Sequence, residues 1–516
     1  MGCKLTVYTA IVLFLTSGLP VSAVDSQLAD VSEIQDFSAI VKLLEQGVSV
    51  DAAQPDGATA LHWAVHWDNL ETVKRLISAG ASINVANDYG ITPLFLAATN
   101  GSAVMMDALL AAGGDPNASL PVGETVLMSA VRGGNLSVVE QLLASGADPA
   151  AVQESKGQSA LMWAATRRNV EIARALLNKK ANIKQRSTNG FTPLMFAARE
   201  GSVEMSSLLL TAGADLDASS SKGITPLLAA TVRGHVDLAM FFLDQGAKAD
   251  GAFEEAGYTP LHWAASMTET PLTYQGIDAP GEWGALSGIR DPEAKADLIK
   301  ALLANGADIE ARITKPMVTI HFSESRSRIG GTPFFTAASS GDAAVMRLLA
   351  DYGADPLARS SDGSTPFIVA SGGMGLALPN IDHADVVTEE DRIEAMELAL
   401  ELGNDLKAEE SRGYRALHHA ASAGFHNIVQ WLLDQGADIN AKSQPRDEHV
   451  FGHDVTLPGQ TPLGVVEGYC PGGCGALWVR PQTAEFLRGL GVGAISEGKV
   501  NLQNYIDRQE GIDPND

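Results

Sequence analysis

Cysteine is almost missing from this chain, with three in 516 residues, which cannot build the disulfide framework that replaces a core in small secreted domains. Basic residues are scarce as well. Lysine and arginine total 36 against 62 aspartates and glutamates, a formal net charge of −26. Such a field repels a phosphate backbone, so nucleic acid and anionic membrane surfaces are not expected partners. Charged residues of both signs make up only 19%, yet the hydrophobic share is 45%. That rejects disorder and a collagen-like fibre. The chain has to be ordered, and its stability has to come from packing.

Long hydrophobic runs are lacking too. The first 23 residues carry Lys4, an apolar stretch from Val7 to Leu15, and Val21-Ser22-Ala23, the pattern of a secretory signal cleaved before Val24. The alternative, an uncleaved anchor, needs roughly 20 apolar residues. Cleavage removes Cys3 and leaves Cys470 and Cys474. The expectation is a mature chain without a membrane span, periplasmic or secreted. Catalytic signatures are absent: no phosphate-loop lysine, no Gly-x-Ser-x-Gly, no His-Glu-x-x-His. No enzyme activity, no cofactor and no metal site is expected.

What the sequence does have is a period. Thr59, Thr92, Thr125, Ser159, Thr192, Thr225 and Thr259 each open a similar stretch, 33 or 34 residues apart, and Thr332, Thr365, Arg415 and Thr461 continue the series at spacings of 73, 33, 50 and 46. The local chemistry explains the stretch. Thr92 can cap a helix through its hydroxyl, and Pro93 suits the first helical position, where its missing N–H would be unpaired anyway. Gly101 ends that helix, and a second follows with apolar residues at helical spacing, as in Val73, Leu76 and Ile77 one unit earlier. Gly113 stops the second helix, and Asp115-Pro-Asn117 supplies turn chemistry for a short hairpin-like finger. A single helix–turn–helix–finger unit cannot bury its apolar face, whereas stacked units share one core.

Thr259-Pro-Leu-His-Trp-Ala-Ala265, Arg415-Ala-Leu-His-His-Ala-Ala421 and Gly436-Ala-Asp-Ile-Asn-Ala441 resemble the ankyrin-repeat family. The resemblance covers roughly residues 30 to 493, as about 11 units plus an N-terminal half unit from Asp36 to Gln54. It implies a mostly α solenoid whose inner helices and fingers form a concave surface that binds other proteins, and it implies no activity of its own. The expected organisation is a signal peptide over 1–23, a capping half repeat over 24–54, regular repeats over 55–270, repeats with insertions and an atypical terminal cap over 271–493, and a polar acidic tail over 494–516.

Four insertions fall in the C-terminal half. Residues 271–293 and 373–389 enlarge helix-to-helix turns, while 313–330 and 443–459 lengthen fingers. In 313–330, Val318, Ile320 and Phe322 alternate with polar residues, which predicts an extended β-finger. Long loops on a repeat array often carry the binding face, and Tyr274 and Trp283 make 271–293 the leading candidate.

Arg132, Arg167, Arg199 and Arg233 are expected at equivalent positions of four successive units, as a row able to pair with an anionic partner. The alternative is that each pairs with a neighbouring acid such as Glu200. His66 and Trp67 end the first full unit's inner helix, either as a binding hot spot or as a cap folded on the N-terminal unit. His62 and His262 read as local hydrogen-bonding groups, and Trp63, Trp163 and Trp263 as packing between units. Lys179-Lys180-Ala181 replaces the usual Gly-Ala and is expected to distort its finger. Cys470 and Cys474 suit a disulfide across a Pro-Gly-Gly turn. A zinc site with His449 and His453 is disfavoured, because those histidines and the cysteines lie at opposite ends of a helix, roughly 13 Å apart at 1.5 Å per residue. The functional expectation is a non-enzymatic interaction scaffold; the alternative is a ligand- or metal-binding accessory subunit of a periplasmic redox system.

Overall fold

The computed structural model describes residues 26–252, 257–266, 289, 291–315, 329–372, 387–450, 453–457, 459–467 and 481–490. Within them lie twelve pairs of short helices, from Gln27–Glu33 with Phe37–Glu45 to Pro462–Glu467 with Pro481–Gly489. They fall in two compact bodies, the first ending at Thr188 and the second starting at Asn189. The first body holds five pairs and the second seven. Among the described residues no helix is long and apolar enough to cross a membrane.

Each inner helix begins as its sequence dictates. The Thr92 hydroxyl accepts from the Phe95 N–H at 3.2 Å, and Thr125 does the same for Met128 at 3.2 Å. Pro93 occupies the first turn, and Gly101 closes the helix in the left-handed region at φ 69°. Small residues at the contact allow close stacking: Ala97, Ala98, Ala164 and Ala165 are fully buried, with Leu94, Met106 and Leu161 filling the space between the helix layers. Burying apolar area of this kind supplies about 25 cal/mol per Å².

The expected N-terminal half unit is instead a complete pair. Gln27–Glu33 forms the inner helix and buries Leu28 and Ala29, and Phe37–Glu45, capped by Asp36 on the Ala39 N–H at 3.0 Å, buries Ile40. The first of these helices has no Thr-Pro start, and Ser26 makes no side-chain cap, so its sequence lacks the signal that marks the others.

Side chains also join the units. In the fingers of the first body, Asp51 accepts from the Ser82 N–H, Asn84 from Asp115 and Asn117 from Asp148, each at 2.8 Å. The second body repeats the joint with Asp217 to Lys248, Asp250 to Asp308 and Glu310 to Asp355 at 2.7–2.9 Å. Also in the second body, Lys295 reaches Asp342 at 3.0 Å with both side chains almost wholly buried (4% and 11% exposed). Arg392 lies at the C-terminal ends of two inner helices, donating to the Ser339 and Ala370 carbonyls at 3.2 and 3.3 Å, where a cation is favoured by the helix dipole.

The described strands are Arg446–Val450 and His453–Leu457, an antiparallel pair with Arg446 opposite Leu457 and Val450 opposite His453. They belong to insertion 443–459. The alternating segment of 313–330 lies outside the described residues; the base of that finger is closed by Ile313, which donates to Gly331 O at 3.1 Å and accepts from the Gly330 N–H at 2.7 Å.

Candidate partner-binding site

Placing the four arginines on the helices corrects their expected register. Arg132 and Arg199 stand seven residues after Thr125 and Thr192, inside the last turn of their helices, whereas Arg167 and Arg233 stand eight after Ser159 and Thr225, as the C-cap residues. One residue on a helix is a turn of about 100°, so the four do not repeat one position. Their environments differ as well. Arg132 pairs with buried Glu124 at 2.9 Å and lies over the Trp163 ring, 5.6 Å from its centroid. Arg199 is itself buried, paired with Glu200 at 2.9 Å and laid on Phe196. Arg233 is half-buried, and Arg167 is exposed. Burial pushes the Glu124 carboxyl up, and Arg132 opposes that shift.

Trp67 folds back on the N-terminal pair: its indole N–H donates to Glu33 O at 2.9 Å, and the residue is 39% exposed. His66 stacks edge-on between Trp63 and Trp67, and burial lowers its pKa. Replacing Trp67 with phenylalanine removes the hydrogen bond and trims the ring that carries it, a loss of at least about 1 kcal/mol. Amide exchange across Gln27–Glu45 should then quicken roughly fivefold; unchanged exchange would show that this bond does not hold the N-terminal pair.

The histidines of the Thr-Pro-Leu-His stretches are structural joints. His262 Nδ1 accepts from the Thr259 N–H at 3.3 Å, which leaves the proton on Nε2, and Nε2 donates to Gly331 O in the next unit at 3.3 Å. His62 does the same between Thr59 and Ile91 O, and His418 between Arg415 and Gln460 O. Burial, opposed by the carbonyl contacts, brings His262 and His418 down to about 4. Trp63 and Trp163 pack half-buried, their indoles bound to Gln54 and Gln158.

Tyr274, Trp283, Cys470 and Cys474 lie outside the described residues. Among the described residues no group of three or more His, Cys, Asp or Glu side chains could hold a metal ion.

One feature of the surface was not anticipated. Lys156, Arg167, Arg168, Arg174, Lys179, Lys180, Lys184 and Arg186 are all exposed and all lie within 31 residues of the fifth unit and the finger leading into it. The distorted finger expected at Lys179-Lys180 is not seen. Lys180 adopts φ 66°, and the Ala181 N–H reaches Leu176 O at 3.0 Å, as the Ala81 N–H reaches Leu76 O at 3.0 Å behind Gly80. Counting charge unit by unit, rather than over the whole chain, would have exposed this cluster in the sequence.

Antiparallel helix pairs, capped alike and joined through fingers, define a helical-repeat protein. The sequence model of the family described as "Ankyrin repeats (3 copies)" matches residues 29–119, 127–220 and 386–443. The chain is an ankyrin-repeat protein. Among solved structures it is similar to one titled "Crystal structure of the ankyrin repeat domain of Bcl-3: a unique member of the IkappaB protein family", at 28% identity over 42% of this chain and 97% of that one, with a TM-score of 0.38. No curated protein matches.

Proposed function

We propose that the chain is a non-enzymatic scaffold that is exported and binds a partner protein through its inner helices, fingers and inserted loops. The observation that carries this reading is the use to which the polar side chains are put. The capping threonines are spent on starting their own helices, and the buried histidines and finger carboxylates on joining units. What remains outside is a succession of exposed finger and turn surfaces, the kind of extended face on which repeat proteins bind. Export rests on the charged start, the apolar run and the small residues before Val24.

Cross-linking in the producing cells, followed by purification of the tagged full chain, tests the scaffold reading. A partner enriched in proportion to the chain is expected, and recovery of the chain alone would overturn it. N-terminal sequencing of the same material tests export: a first residue of Val24 is expected, and Met1 in the cytosolic fraction would overturn it.

A further inference from the structure

The fifth unit departs from the chain's own charge. Residues 156–186 hold eight basic residues and one acid, Glu171, leaving 28 of the 36 basic and 61 of the 62 acidic residues for the rest of the chain. All eight side chains are exposed, and Arg167, Arg168, Lys156, Lys179, Lys180 and Lys184 form no ion pair among the described residues. Arg174 pairs with Glu171 at 3.8 Å, an exposed contact that a ligand can displace.

Their placement forms a stripe. Arg167 and Arg168 stand at the N-terminal end of the outer helix Val170–Asn178, Arg174 is in its middle, and Lys179 and Lys180 are at its C-terminal end, with Lys184 and Arg186 in the finger beyond. The helix is roughly 13 Å long at 1.5 Å per residue. An extended peptide of about five to eight residues, at 3.3 Å each, spans that distance and reaches the finger.

The backbone adds a second observation. Arg168 and Lys180 have φ of 57° and 66°, in the left-handed region; the first position holds Gln35, Asp68, Gly101 and Gly134 in the other units of the first body, whereas the second holds glycine in every one of them, Gly47, Gly80, Gly113 and Gly146. A side chain there is strained relative to glycine. Both left-handed positions of this helix pair therefore hold cations at a cost in stability, Lys180 where every other unit of the first body keeps glycine, and strain of this kind concentrates at functional sites.

We propose that the fifth unit is a docking site for a short acidic segment of a partner protein; this rests on the scaffold reading and names the chemistry of the partner. The acidic flank fixes the length, because Glu140 and Asp148 are exposed in the preceding unit and Glu154 in the finger turn that also holds Lys156, and all three would repel a long polyanion. A carboxylate-rich segment confined to one unit matches the stripe; a nucleic acid or an anionic membrane extends over the acidic flank. Exposed pairs each contribute little, so the encounter is fast, weak and salt-sensitive.

The test titrates the full chain into a fluorescent peptide of eight glutamates at low salt, with an eight-nucleotide DNA strand and phosphatidylserine vesicles as rivals. The peptide is expected to bind more tightly than either, and to lose at least tenfold in affinity when Arg167→Glu and Lys179→Glu are combined. The informative variant combines Arg168→Gly with Lys180→Gly. It should bind the peptide at least threefold more weakly while its thermal midpoint rises by about 2–4 °C. A structural role for the two cations would lower the midpoint. Equal peptide affinity in all variants overturns the proposal, as does tighter binding of the DNA or the vesicles. A partner that cross-links equally well to wild type and to the Arg167→Glu, Lys179→Glu chain overturns it too and leaves the scaffold reading standing. Recovery of no partner at all overturns that reading instead.

Discussion

Asp342→Ala is expected to destabilise the second body by about 3–5 kcal/mol, the cost of leaving a buried charge without its partner. Asp342 has two tasks, one for each oxygen. Oδ1 caps the helix Ala343–Asp351 by accepting from the Val345 N–H at 3.0 Å, and Oδ2 meets Lys295 Nζ at 3.0 Å. Lys295 sits on the helix Pro292–Ala304 of the preceding unit, 4% exposed, so the pair ties two units together in a place water does not reach. Two companion variants separate the tasks. Asp342→Asn keeps a capping oxygen and discards the charge, and should retain most of the loss. Lys295→Met removes the cation, fills its volume, and leaves the carboxylate at a helix N-terminus, where negative charge is favoured; about 1 kcal/mol is expected. Denaturant midpoints of the full chain decide the matter, and a neutral Asp342→Asn would show that the ion pair does not hold these units.

The second large effect is a loss of stability in mild acid. In an unfolded chain a histidine takes its proton near 6.5; in the folded chain burial holds His262 and His418 down to about 4, lowers His62, and brings His419 to about 3. The folded values are the lower ones. As the pH falls, the unfolded chain is therefore protonated first, and stability present above about 6.5 is lost between 6.5 and about 4. Each such histidine contributes a slope of at most about 1.4 kcal/mol per pH unit. The cause at His262 is its complete burial, and a proton on Nδ1 would in addition face the Thr259 N–H, which can only donate. Burial raises Glu124 and Glu410, which act in the opposite sense, so the measurement compares wild type with His262→Asn. The variant should be less stable at pH 7.5 and lose stability less steeply down to pH 5. Parallel curves would place the titrating groups elsewhere.

Much of this architecture was legible because its signals are local. A threonine followed by proline, then glycine some nine residues on, fixes a helix whatever its surroundings, and eleven anchors each open a helix pair where expected. The N-terminal pair was half hidden because Gln27–Glu33 is stabilised by burying Leu28 and Ala29 against its neighbours, and tertiary contact leaves no capping residue to read. The arginine row failed by a single residue. Spacing along the chain places a residue in a turn, but only the helix end shows whether Arg167 caps it or Arg199 lies within it. The strand pair Arg446–Val450 and His453–Leu457 was missed for a different reason: Arg446-Asp-Glu-His carries no alternation of apolar and polar residues, and its partner alternates only at Val455 and Leu457, so pairing there comes from the backbone.

The finger joints have a consequence for how such a chain can change in length. In each joint the upstream unit supplies a carboxylate or amide, as Asp51, Asn84 and Asn117 do, and the downstream unit answers with a main-chain N–H, joined by the Gly113 and Gly146 carbonyls at the two asparagines and by the Ser82 hydroxyl at Asp51. Every residue except proline has that main-chain donor. A unit can therefore be duplicated, deleted or exchanged by recombination at a finger without the new neighbour carrying any matching side chain, provided the unit before it keeps its acceptor. Ala150, at the position where Asn117 stands one unit earlier, has no such oxygen. The boundary after it is the place in the first body where a transplanted unit would arrive without a ready joint.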